Sequence, residues 1–91
     1  LTPLPQGGNK KPRLFRLNEQ QAVINRMGFN NKGVHHAAAK LAKCRYRGVL
    51  GINLGKNADT TLDKAVDDYL IGMRVLSPFA SYFTINVSSP N

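Results

Sequence analysis

The sequence predicts an α/β fold with parallel strands, and three observations carry that expectation. Two stretches place apolar residues at helical spacing, each is followed by a short apolar run of strand type, and the order is helix, strand, helix, strand. A helix between two neighbouring strands returns the chain to its starting edge, so the strands pair in parallel as a βαβ unit.

Ahead of these units, Pro3, Pro5, Gly7, Gly8 and Pro12 stand close together, a density of helix breakers that demands loop or extended structure. Residues 1–31 are accordingly read as a loop and short-strand region, with Leu14, Phe15 and Leu17 as the short strand, and residues 32–91 as the helix-strand-helix-strand part. Over residues 32–46, Val34, Ala37, Ala38, Leu41 and Cys44 recur at helical spacing while Lys40, Lys43 and Arg47 fall largely elsewhere, which predicts one amphipathic helix closed near Gly48. Val49, Leu50, Ile52 and Leu54, interrupted by Gly51 and followed by Gly55, predict a short strand buried on both faces. In the second helix, Leu62, Ala65, Val66, Tyr69, Leu70, Met73 and Leu76 keep the i, i+3, i+4, i+7 pattern. Thr60 or Thr61 is placed to cap its first N–H groups, Asp63 suits the positive end of the helix dipole, Arg74 the negative end, and Pro78 prevents continuation. Tyr82, Phe83, Thr84, Ile85 and Val87 predict the second strand.

Repeating βα units build either an open doubly wound sheet or a closed (β/α)₈ barrel, and both place function beyond the carboxyl ends of the strands. Asn53, Gly55, Lys56 and Asn57 stand at the end of the first strand, and Asn86, Ser88, Ser89 and Asn91 at the end of the second. Polar groups are therefore expected on one rim, an arrangement that packing does not ask for. A barrel needs about 250 residues. The sequence opens at Leu1 rather than Met and stops at Asn91 directly after the loop-like Ser88-Ser89-Pro90, and it is read as an excerpt of something longer.

Composition narrows the function classes. Apolar residues make up 42% and charged residues 20% of the chain, as in globular proteins, and no apolar run approaches the roughly 20 residues of a membrane span. Thirteen Lys and Arg against five Asp and Glu give a net charge of +8, which favours an anionic partner: nucleic acid, phosphate, a carboxylate substrate or a lipid surface. The basic residues run from Lys10 to Arg74 without a tight cluster or interleaved stacking aromatics, so the nucleic-acid reading, a small basic RNA- or polyanion-binding module, is kept only as the alternative. Cys44 is the single cysteine, which excludes an intramolecular disulfide and a cysteine-only metal site and leaves a small apolar packer as its plain role.

Several motifs are weak. Gly51-Ile52-Asn53-Leu54-Gly55-Lys56-Asn57 is similar to a phosphate-binding loop, but its glycines stand one residue too close and Asn57 occupies the place of the magnesium-holding hydroxyl. Lys56 has the default reading of a solvated rim charge. His35 and His36 are neighbours, about 100° apart around a helix, and cannot readily share one metal, so no metal is expected. Asn30-Asn31-Lys32-Gly33 reads first as a polar turn into the helix. Just before it, Asn25-Arg26-Met27-Gly28-Phe29-Asn30 combines an amide, a glycine that lets a ligand approach the backbone, and an aromatic, the make-up of loops that bind flat polar ligands. An asparagine side chain offers both an N–H₂ donor and a C=O acceptor, matching the alternating imide groups of a pyrimidine without net charge. Asn25, Asn53, Asn86 and Asn91 suit such a ring, although asparagines at turns more often satisfy backbone groups.

Asn25-Arg26-Met27-Gly28-Phe29-Asn30-Asn31, Gly51-Ile52-Asn53-Leu54-Gly55-Lys56-Asn57 and Asn86-Val87-Ser88-Ser89-Pro90-Asn91 resemble dihydroorotate dehydrogenase in order and spacing. Thr2-Pro3-Leu4-Pro5-Gln6, Gly8-Asn9 and Pro12-Arg13-Leu14-Phe15-Arg16-Leu17 are similar to the quinone-dependent (class 2) enzymes, with Gly7 a departure where proline is common. The resemblance covers essentially the whole chain. It implies a fragment of an FMN-binding (β/α)₈ TIM barrel, with residues 1–91 forming two βα units and flanking loops of that single domain. The implied activity is oxidation of (S)-dihydroorotate to orotate in pyrimidine (UMP) synthesis, with FMN as hydride acceptor and a membrane quinone as final acceptor. Nucleic acid is then not a partner.

The resemblance also implies roles for residues. Asn53 and Asn86 contact the flavin; Asn25, Arg26, Met27, Gly28 and Phe29, with Asn86 and Asn91, contact the substrate. Ser89 is the implied catalytic base that takes the C5 proton, and serine where the soluble class has cysteine favours a quinone acceptor. A hydroxyl is a poor base and an isolated alkoxide is costly in a dry site, so Ser89 is expected to work through a water or hydroxyl relay with Phe29 governing solvent access. The plain alternative is that Ser89 caps the turn before Pro90. The resemblance further implies peripheral contact with the cytoplasmic side of a bacterial inner membrane, or the mitochondrial inner membrane in a eukaryote, through a segment outside these residues. The excerpt alone is expected to be inactive.

Overall fold

The computed structural model describes residues 1–88. The elements follow in the order β1 (Leu14–Leu17), β2 (Ala22–Asn25), α1 (Val34–Leu41), β3 (Gly51–Leu54), a 3₁₀ turn (Leu62–Lys64), α2 (Ala65–Leu76) and β4 (Tyr82–Ile85). Strands β3 and β4 pair in parallel, Gly51 opposite Tyr82 through Leu54 opposite Ile85, with α2 as the crossover. Asn86 N–H donates to Leu54 O at 2.8 Å and carries the ladder one step further.

A third line of chain lies along the other edge of β3. The Leu1 nitrogen donates to Asn53 O at 2.7 Å, and Gly55 N–H donates to Leu1 O at 2.8 Å. Those two bonds bracket Leu54 as a parallel strand would. The sheet therefore has β3 in its middle, flanked by β4 and by the start of the chain.

The first thirty residues hold more structure than the sequence predicts. Residues 14–17 do form a strand, but it pairs antiparallel with β2, Phe15 opposite Ile24 and Arg16 opposite Val23. Its turn is closed by Gln21 N–H donating to Asn18 O at 3.2 Å. Two arginines lash this hairpin to the proline-rich segment. Arg13 donates to Gly7 O at 2.6 Å and Asn9 O at 2.9 Å, and Arg26 donates twice to Pro12 O, at 3.1 and 2.8 Å. Part of the positive charge thus serves the backbone carbonyls of Gly7, Asn9 and Pro12, which lie outside any helix or strand.

Both helices are shorter than predicted. Helix α1 begins at Val34 because Gly33 has φ +86, outside helical space, and a Cβ there would come within 3.0 Å of Pro5 N. It ends at Leu41 because Lys43 and Cys44 donate instead to Lys40 O and Leu41 O, bonds of the tighter 3₁₀ type. Cys44, expected in the packed stripe, is exposed. In the second helix neither threonine caps by its side chain. Thr60 Oγ1 donates to Asp68 Oδ2 at 2.7 Å, which draws the hydroxyl away from the backbone, and the first turn becomes 3₁₀. Of the residues expected on the buried stripe, Leu62, Val66, Leu70 and Met73 are exposed, Leu62 at 83%, and the face that meets the core runs through Tyr69, Gly72 and Leu76.

The core is thin: Val34, Ile52, Leu54 and Leu76 are buried, with Ala37, Leu41, Tyr69, Val75, Phe79 and Phe83 partly buried around them. Gly72 lets α2 approach β3 closely, since a Cβ there would sit 2.8 Å from Leu54 Cδ2. Strand β3 is buried on one face only. Ile52 and Leu54 are covered while Gly51 and Asn53, pointing the other way, are exposed. The radius of gyration is 14.8 Å, against about 12 Å for a compact domain of this length. These are the proportions of a curved slab with an uncovered inner face.

Candidate functional site

Four stretches converge beyond the carboxyl ends of β3 and β4: the start of the chain, residues 29–31, residues 53–58 and residues 86–88. They enclose a cleft of about 130 Å³ whose wall includes Phe29, Asn31, Asn53, Lys56, Asn86 and Ser88.

The loop before α1 is held by amides. Gln6 and Asn31 exchange two backbone hydrogen bonds of 3.0 Å each. Asn31 Oδ1 accepts from Gly33 N–H at 2.9 Å and Thr2 N–H at 3.2 Å, while its Nδ2 donates to Thr2 Oγ1 and Phe29 O, both at 2.9 Å. Gln6 Nε2 also donates to Phe29 O, at 3.1 Å. Two side-chain amides on one carbonyl matter because Phe29 has φ +57. A bulky residue in left-handed space costs roughly 1–2 kcal/mol and persists only where its surroundings over-determine it. The exposed Phe29 ring is thereby presented to the cleft at the cost of backbone strain.

The strand ends are fixed by α2. Asp68 Oδ2 accepts from Asn57 N–H at 2.8 Å as well as from Thr60, and Tyr69 Oη donates to Asn86 O at 3.0 Å. The Asn86 side chain turns back on its own loop, where Oδ1 accepts from Ser88 N–H at 2.9 Å and from the Ser88 hydroxyl. This leaves the Asn86 Nδ2 donors unengaged by side chains or backbone of the described residues. Lys56 is half-buried on the cleft wall, and its ammonium donates to Asn57 O at 3.3 Å, so it is not the freely solvated rim charge that its position in sequence suggests.

Of the residues singled out in the sequence, Phe29, Asn53 and Asn86 line this cleft. Asn53 belongs to β3 opposite Thr84 and Asn86 follows β4, so Asn86 lies two residues beyond the position level with Asn53. Asn25, Arg26, Met27 and Gly28 do not line it. Asn25 ends β2, and its Oδ1 accepts from Met27 N–H at 3.3 Å. Arg26 is occupied with Pro12, and Met27 O accepts from Asn9 N–H at 2.9 Å. Gly28 has φ +76, with Asn9 packed where a Cβ would stand. Ser89 and Asn91 lie outside the described residues. Sequence reasoning gave no site role to Thr2 or Gln6; it placed Ser88 on the rim and Asn31 in a quoted motif, without a contact for either. The first two come from a proline-rich stretch whose path over the rim has no local signature.

The donor set suits a flat heterocycle: amides at two strand ends, one aromatic ring and one ammonium. At about 130 Å³ the cleft is smaller than the roughly 300–1,000 Å³ typical of ligand pockets.

Comparison with known proteins agrees. A family model described as dihydroorotate dehydrogenase matches residues 1–91. The chain is 60% identical over its full length to a protein of Azotobacter vinelandii named dihydroorotate dehydrogenase (quinone), covering 26% of that relative. It is 62% identical over its full length to one of the same name in Pseudomonas aeruginosa, covering 27%. Solved structures of DHODH from Eimeria tenella superpose on all of it: one in complex with ferulenol, at TM-score 0.82 and 44% identity, and one ligand-free, at 0.83 and 43%. The chain covers 26% and 27% of those two structures, so the two βα units form one section of a (β/α)₈ barrel. With a family model spanning every residue and relatives of the quinone form near 60% identity, the chain belongs to the dihydroorotate dehydrogenase family.

Proposed function

We propose that in the whole protein this section supplies part of the site that oxidises (S)-dihydroorotate to orotate, with FMN as hydride acceptor and a quinone as final acceptor. The observation that carries the reading is the shared cleft wall: Asn53, Asn86, Phe29 and Lys56, drawn from three segments, face one space at the strand ends. Barrel enzymes place their chemistry at that end.

Asn53 and Asn86 are the residues of this chain that hold the flavin, through amide donors and acceptors matched to its alternating imide edge. Bound FMN supplies a two-electron acceptor that takes the hydride from C6 of the substrate. Asn86 and Asn91, with the stretch from Asn25 to Phe29, hold the substrate ring, and the strained Phe29 limits water. Asn25 to Gly28 act through the loop they build, since the cleft wall starts at Phe29. Ser89 takes the C5 proton and passes it on through a water or hydroxyl relay, because an alkoxide left in a dry site is costly. A quinone would be the final acceptor, as the names of the relatives indicate for those proteins. Among the described residues no helix is long and apolar enough to cross a membrane, so membrane contact in this proposal falls to a segment outside them.

The test uses the full-length protein. Its flavin absorbance should be bleached by dihydroorotate and restored by a quinone. Ser89→Ala should keep FMN and be reduced orders of magnitude more slowly. A colourless protein whose nucleic-acid binding falls steeply with salt would replace this reading with the polyanion module.

A further inference from the structure

Of the cleft's amides, Asn53 lies in β3 and Asn86 just after β4, where its N–H is bonded to Leu54 O; the segments that follow the two strands are each tied by side chains to neighbouring residues of one helix. Asp68 receives Asn57 N–H at 2.8 Å and Thr60 Oγ1 at 2.7 Å, which pins residues 57–60 beyond β3. Tyr69 donates to Asn86 O at 3.0 Å, which pins the residues beyond β4. Helix α2 is in turn seated on β3 where Gly72 meets Leu54.

We infer that Tyr69, together with Asp68, positions the reacting groups: the two side chains hold the segments that follow β3 and β4 and so fix the tilt of the Asn86 loop relative to Asn53 in β3, against a common planar ligand. Neither residue lines the cleft, so neither is a catalytic residue. Core packing accounts for the Tyr69 ring, which lies half-buried against the core cluster, but not for its hydroxyl. That hydroxyl reaches past the helix to one carbonyl, and the carbonyl belongs to Asn86, a residue of the cleft wall. A phenylalanine would pack as well and leave the Asn86 carbonyl without its side-chain donor, the N–H bond to Leu54 O remaining. The chemistry at stake is the register between two amide groups and a flat imide, where a shift of a fraction of an ångström weakens several hydrogen bonds together.

The inference rests on the proposed function, and the test separates the two. Full-length Tyr69→Phe is compared with wild type and with Val75→Ala, a cavity-forming change on the same helix remote from both loops. Three quantities are read: the orotate dissociation constant from the flavin spectrum, the rate of anaerobic flavin reduction by dihydroorotate, and Tm. Tyr69→Phe is expected to keep its FMN, to weaken orotate binding about fivefold to tenfold, as for one lost hydrogen bond, and to slow reduction at saturating substrate. Val75→Ala is expected to lower Tm at least as far and leave the orotate constant in place. An unchanged orotate constant in Tyr69→Phe overturns the inference, as does an equal shift in Val75→Ala, which would mean that general softening is the cause. If wild type itself is not reduced by dihydroorotate, the proposed function fails and takes the inference with it. Should Tyr69→Phe not fold, Asp68→Asn is read on the same titration, and an unchanged constant there overturns the inference.

Discussion

Replacing Gly72 by alanine sets two known effects against each other, and the structure says which wins. In an exposed helix the change stabilises by up to about 1 kcal/mol, because glycine is the poorer helix former. Here the new Cβ would stand 2.8 Å from Leu54 Cδ2, 3.2 Å from Cδ1 and 3.4 Å from Cγ. Leu54 is 1% exposed and cannot swing away. Overpacking of this kind costs about 1–3 kcal/mol, so Gly72→Ala should destabilise by about 1 kcal/mol net. All three offending atoms disappear in Leu54→Ala, which by itself should cost about 2–5 kcal/mol through lost burial and a residual cavity. In that background Gly72→Ala should change sign and stabilise by about 1 kcal/mol, giving a coupling of about 2 kcal/mol between the positions. Thermal unfolding of the full-length protein and its three variants measures this cycle. The same sign for Gly72→Ala in both backgrounds would refute the claim that the α2–β3 distance is set by the Gly72–Leu54 contact.

Two further substitutions test the loop that presents Phe29. Asn31→Ala leaves the N–H groups of Thr2 and Gly33 without their shared acceptor, both residues being buried, and should cost about 2–4 kcal/mol; Asn31→Asp keeps that acceptor and should cost less, so equal melting points for the two would count against the amide's role. Gly28→Ala combines φ +76 with a Cβ 2.7 Å from Asn9 N and should cost about 2–4 kcal/mol, whereas Gly7→Ala, with nothing within 4 Å of its Cβ, should be close to neutral; similar Tm shifts for both would refute the local packing described here.

What the sequence discloses divides along a physical line. Elements with a burial pattern are legible in kind: α2, β3 and β4 are amphipathic or apolar because one face meets the core, and the spacing of Tyr69, Gly72 and Leu76 records it, although Leu62, Val66, Leu70 and Met73 of the same stripe are exposed. Their ends are less legible, because hydrogen bonds to distant or unforeseen partners decide them. Thr60 is a reasonable cap by composition, but Asp68 competes for its hydroxyl, and the first turn tightens. The hairpin is the weakest case. Strand β2 is exposed along its whole length, so Ala22-Val23-Ile24-Asn25 carries no alternation to distinguish it from loop. A stripe of exposed apolar residues such as Val66, Ile71 and Met73 looks anomalous for a whole domain and ordinary for a barrel section whose neighbours lie elsewhere in the chain.

The asparagines show why residue type alone could not settle the site. Asn57 accepts from Leu4 N–H at 2.9 Å and donates to Leu4 O at 2.8 Å, so one side chain imitates a strand partner for an extended segment that has no strand beside it. That donor-acceptor pairing is the property that suits an amide to a pyrimidine edge, so the chemistry that marks a ligand residue also marks a structural one. Position separates them. Asn31 and Asn57 spend both ends of their amides on backbone, and every buried side-chain nitrogen and oxygen among the described residues has a partner. Asn86, on the cleft wall, spends its oxygen on Ser88 and leaves its nitrogen without a partner among the described residues, and Asn53 stands on the exposed face of β3. An amide left half-used where strands end is the stronger sign of a ligand, because folding gains nothing from leaving it so.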